Sequence, residues 1–93
     1  MKLLILVVED EQALLHSIAG VLTEEGYQVD TADRGDDALL LAERGIYDLL
    51  VLDIMLPGMD GVSVLKTLRA KGYATPVLFL TAKDSIQSRG EGL

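Results

Sequence analysis

The sequence predicts an α/β domain built on a parallel sheet with helices on both faces. Three observations carry this. Apolar runs of strand length alternate with stretches of helical period. Glycine- and proline-containing turns separate them. The resulting order, β-α-β-α-β-α-β, closes through right-handed crossovers into a parallel sheet that helices cover on either side. The 93 residues suit one small domain spanning 1–93, with no internal repeat, low-complexity segment or linker.

Leu3 to Val8 is a continuous apolar run, as a central parallel strand buried on both faces requires. From Glu11 to Glu25, Leu14, Ile18, Val21 and Leu22 recur at helical spacing, and Gly26 supplies the stop. Tyr27 to Ala32, centred on Val29, alternates in character and reads as a peripheral strand. A second helix begins near Gly35-Asp36, buries Ala38, Leu39, Leu41 and Ala42, and stops at Gly45. Leu49 to Leu52 is a third buried strand that ends at Asp53. Pro57-Gly58-Met59-Asp60-Gly61 is dense with turn formers. Asp60 is placed to cap a helix that buries Val64, Leu65 and Leu68 and ends at Lys71-Gly72. Val77 to Leu80, led in by Pro76, is the fourth strand, and Asp84 to Leu93 is at most a weak helix.

Composition narrows the function. With no cysteine there is neither a disulfide framework nor a thiolate metal site, which suits a cytoplasmic protein. A net charge of −7 argues against direct binding to nucleic acid, which calls for a basic face. No apolar run approaches the roughly 20 residues a bilayer demands. The apolar stretch after Met1-Lys2 is cut off by Glu9-Asp10-Glu11 with no small-residue cleavage site, so it reads as a strand and not as an export signal.

The chemistry gathers where strands end. In open α/β sheets ligands bind at the carboxyl ends of the strands. Here the first strand runs into Glu9-Asp10, the third into Asp53 and the fourth into Thr81. If the first and third strands are neighbours, three carboxylates converge, and their mutual repulsion calls for a shared cation. Hard oxygen donors suit Mg²⁺, which also accepts a substrate phosphate oxygen. A carboxylate beside Mg²⁺ is a nucleophile toward phosphorus, and Thr81 is placed to donate a hydroxyl hydrogen bond to the arriving group. The plainer alternative is that these acids are helix caps or first-turn charges. Three successive strand ends with matched chemistry weigh against it. His16 has no cysteine or second histidine as partner and reads as structural, Lys66 and Lys71 as solvated helix charges, and Tyr27, Tyr47 and Tyr73 as packing residues.

The stretches Leu6-Val7-Val8-Glu9-Asp10-Glu11, Leu52 to Gly61 and Leu80-Thr81-Ala82-Lys83 closely resemble response-regulator receiver domains of two-component systems. The resemblance runs through the entire chain. It implies a flavodoxin-like doubly wound sheet with strand order 2-1-3-4. It also implies phosphoryl transfer from a sensor histidine kinase onto Asp53, with Asp10, Asp53 and the backbone carbonyl of Met55 as Mg²⁺ ligands and Glu9 acting through water. By the same resemblance Thr81 is the switch hydroxyl, the N–H of Ala82 meets the phosphoryl group, and Lys83 at the rim tunes its lifetime. Leu52 to Gly61, with Leu80 to Asp84, looks most like regulators that carry a winged-helix DNA-binding output domain.

The chain departs from the family pattern at its end. It stops at Leu93, before the fifth strand with its lysine and the fifth helix. The expectations are an exposed edge on the fourth strand, self-association through it, and phosphorylation weakened or lost. Two functions therefore compete: a phosphoacceptor switch that is not an enzyme in the ordinary sense, and a switch-defective fragment that acts only as a structural or interaction module. An aspartyl phosphohydrolase would place an acid where Met55 stands. A flavin-binding protein would need a phosphate cradle where Glu9-Asp10-Glu11 stands.

Overall fold

A computed structural model of the chain describes residues 2–80. Seven elements follow one another: β1 (Leu4–Val8), α1 (Gln12–Glu24), β2 (Gln28–Ala32), α2 (Gly35–Ala42), β3 (Leu49–Asp53), α3 (Gly61–Ala70) and β4 (Val77–Leu80). The strands form one sheet in the order β2-β1-β3-β4. Every pairing is parallel: Val8 lies opposite Ala32 on one side and Leu52 on the other, and Asp53 lies opposite Leu80. The fold class, element order and strand order are those the sequence predicts. No helix among the described residues is long and apolar enough to cross a membrane.

The apolar runs are continuous because both faces of the central strands are covered. With side chains alternating at period two, Leu6 and Val8 of β1 face one way and Ile5 and Val7 the other. Leu6, Val8, Leu50 and Leu52 pack with Ala38 and Ala42 of α2 and Val64 and Leu68 of α3. On the opposite face Ile5, Val7 and Val51 pack against Leu15, Ile18 and Leu22 of α1. Strand β2 is an edge and mostly exposed, in keeping with its alternating sequence. Among the described residues β4 has β3 as its one strand neighbour, and Leu78 is 57% exposed.

Helix α1 corrects the sequence reading. The line it turns to the sheet is Leu15, which is buried, with Ile18 and Leu22, which are partly covered. Of the four residues read at helical spacing, Ile18 and Leu22 lie on it, and Leu15 was not among them. Val21 is 59% exposed, and Leu14 packs in neither core cluster. Residues 15, 18 and 22 fall on one narrow line of the helix, and one sheet face covers only that arc. The α3 cap is as predicted: the Asp60 carboxylate accepts from the Ser63 backbone N–H at 2.8 Å.

Candidate metal and phosphoryl site

A parallel sheet brings the carboxyl ends of all its strands to one edge, where the chain turns toward the next helix. Strand β1 is central, between β2 and β3, so residues just past Val8 lie beside the end of β3. The sequence condition for convergence is thereby met. One carboxylate oxygen from each of Glu9, Asp10 and Asp53 lies within 4.8 Å of the others. Glu9 and Asp53 are 1% and 2% exposed, whereas Asp10 is open to solvent.

Each acid is set by local structure. The Glu9 N–H donates to Ala32 at 3.1 Å and so extends the β1–β2 ladder by one residue, which holds the side chain below the surface. Its carboxylate accepts from the Glu11 backbone N–H at 2.7 Å. Glu11, the N-cap of α1, makes no side-chain capping bond, so Glu9 satisfies one of the free donors at the helix start. The capping role weighed against a metal role is thus present at Glu9, alongside membership of the acid cluster. Asp53 is the last residue of β3 and takes its position from the sheet register.

The loop beyond Asp53 carries Met55, whose side chain is 56% exposed. Gly58 takes a φ of +80°, a conformation that side chains other than glycine seldom adopt. The loop closes onto α3 where the Gly61 N–H donates to the Ile54 carbonyl at 2.7 Å. Thr81, Ala82 and Lys83 lie outside the described residues.

The donor set fits a hard divalent cation. Two buried carboxylates and one exposed one, converging at a solvent-facing sheet edge, supply anionic oxygens with room for waters. His16 is exposed and shares an open groove of about 500 Å³ with Gln12, Asp33 and Asp37, a groove lined by none of the three acids. Sequence reasoning found every acid of the cluster. It placed Gly35 at a helix start and Gly61 in a turn without seeing that backbone packs against both, because a glycine at a close approach has no signature of its own.

The model of the response regulator receiver domain matches residues 5–93. The transcriptional regulatory protein PcoR of Escherichia coli is 48% identical over 89 residues, covering 96% of this chain and 39% of PcoR. The transcriptional regulatory protein DltR of Streptococcus agalactiae serotype III is also 48% identical, over 96% of this chain and 40% of its own length. The chain thus spans about two fifths of the curated relatives it matches. The receiver domain of the Francisella response regulator 1452 superposes with a TM-score of 0.85 at 36% identity, covering 98% of this chain and 75% of that one.

Proposed function

The chain belongs to the response regulator receiver domain family, and on that premise we propose that it accepts a phosphoryl group on Asp53. The observation that carries this is the convergence of Glu9, Asp10 and Asp53 within 4.8 Å at the carboxyl edge of the sheet. In this reading Asp10, Asp53 and the Met55 carbonyl would hold Mg²⁺ directly, and Glu9 would act through water. When bound it supplies neutralising charge to the transferring group. The residues 1–93 act as one receiver domain.

A carboxylate oxygen of Asp53 attacks phosphorus. The bond from phosphorus to the donor breaks, that bonding pair leaves with the donor, and an acyl phosphate remains on Asp53. Glu9 holds the floor of the site through its own backbone and side-chain bonds, and Asp10 faces the solvent from which the donor arrives. Thr81 offers its hydroxyl and Ala82 its N–H to the phosphoryl oxygens, with Lys83 at the rim. The family supports a histidine kinase as donor and a cytoplasmic setting. The relatives named as transcriptional regulators support a transcriptional role for a longer protein that contains this domain. Self-association through the β4 edge, where Leu78 is exposed, completes the proposal.

The test is intact-mass measurement after incubation with Mg²⁺ and acetyl phosphate. The expected result is a gain of one phosphoryl group, absent without Mg²⁺ and absent in Asp53→Asn. Labelling that survives in Asp53→Asn overturns the assignment. A folded chain that takes up no phosphoryl group favours the purely structural module.

A further inference from the structure

The loop between β3 and α3 is gripped from two sides by glycines whose missing side chains leave room for backbone. At its far end, a Cβ on Gly61 would stand 2.2 Å from the Asp53 carbonyl oxygen and 3.1 Å from the Ile54 Cα. At its outer side the loop rests on the first turn of α2. There the Gly35 N–H donates to the Pro57 carbonyl at 3.0 Å, and a Cβ on Gly35 would fall 1.6 Å from the Met59 carbonyl oxygen. Neither glycine has a positive φ, so conformational freedom is not what requires it. Both are needed because backbone approaches backbone where a methyl group would stand. The loop also packs inward, with Leu56 and Met59 against the core face that α2 and α3 share.

We infer that Gly35 and Gly61 are positioning residues for the acid site, and that docking of the 54–60 loop on α2 is coupled to cation binding by Glu9, Asp10 and Asp53. The inference rests on the reading of those acids as a Mg²⁺ site. Its physical basis is the stiffness of a short chain held at both ends. Asp53 is fixed by the sheet, Gly61 presses on the Asp53 and Ile54 backbone, and Gly35 holds Pro57 and Met59 a few residues further on. Met55 lies along the chain between these two supports, so in this inference its carbonyl is held in place from both sides. Coupling is reciprocal, so a cation that favours one loop position must also strengthen the Gly35 to Pro57 hydrogen bond.

The experiment measures amide hydrogen exchange and Mg²⁺ affinity on the whole chain. In the wild type, saturation with Mg²⁺ should slow exchange at the Gly35 amide by about fivefold or more. Exchange at the Gly72 amide, bonded to Arg69 at the opposite end of α3, should not change. Gly35→Ala and Gly61→Ala should each raise the Mg²⁺ dissociation constant, read by calorimetry, by about fivefold or more. Gly20→Ala, where an added Cβ meets nothing within 4 Å, should leave it unaltered. Mg²⁺ binding to the wild type with no change at the Gly35 amide overturns the inference, and that result stands even if a glycine variant fails to fold. Folded Gly35→Ala and Gly61→Ala proteins with wild-type affinity overturn it as well. A wild type that binds no Mg²⁺ removes the metal site itself, and the coupling with it.

Discussion

The hydroxyl of Tyr47 donates a 2.7 Å hydrogen bond to Asp30 Oδ2, which ties the approach to the central strand β3 to the edge strand β2. The ring is buried in the core face that α2 and α3 cover. Tyr47→Phe keeps the ring and removes the bond, at an expected cost of about 1 kcal/mol in urea unfolding at neutral pH.

The same contact sets an alkaline limit. Burial, and then the bond to Asp30 and its negative charge, push the Tyr47 phenol from an ordinary value of 10.0 up to about 12. The unfolded chain therefore gives up this proton first. The contribution of Tyr47 is complete below about pH 10 and is lost as pH rises from there through about 12. Unfolding free energies measured across this window should fall more steeply for the wild type than for Tyr47→Phe.

Core and surface leucines should differ sharply. Leu50 is fully buried beside Leu6 and Leu52, and Leu50→Ala should cost about 2 to 5 kcal/mol, much of the stability of a small domain. Leu40 is 68% exposed on α2, and Leu40→Ala should stay within about 0.5 kcal/mol of the wild type. Denaturant midpoints under one set of conditions check both.

The α3 cap predicts an acid-side effect of opposite sense. Bonds from the Ser63 backbone N–H and hydroxyl hold the Asp60 carboxyl below its ordinary range. Its stabilising effect is present above the ordinary carboxylate pKa and is lost as pH falls through the lowered one. Asp60→Ala should lower Tm by several degrees at neutral pH, and Asp60→Asn, which can still accept the bond, by less. The Asp60→Ala and wild-type curves should converge at low pH.

The acid cluster predicts a stability that depends on both metal and charge. Three carboxylates converging within 4.8 Å repel one another, so Asp53→Asn should raise Tm when Mg²⁺ is removed with a chelator. Adding Mg²⁺ should raise the wild-type Tm in proportion to the logarithm of its concentration and have much less effect on Asp53→Asn. Thermal melts with chelator and with graded Mg²⁺ distinguish the two proteins.

Much of this protein is determined by its sequence alone. Period-two and continuous apolar runs specify β1, β2, β3 and β4, because a strand's burial is written into which of its residues are apolar. Asp60 just ahead of the apolar residues of α3 specifies that helix's cap, a matter of a few bonds along one chain segment. The acids at strand ends identify the candidate site before any strand pairing is known. The tertiary structure alone decides that Asp53 reaches Glu9 and Asp10, since β1 must first lie beside a strand more than forty residues away. It likewise decides which line of α1 is buried, because the sheet covers a narrower arc than the apolar residues occupy. Gly35 and Gly61 reveal their use only there too. A glycine needed for close approach is defined by what another part of the chain places against it, and sequence periodicity carries no record of that neighbour.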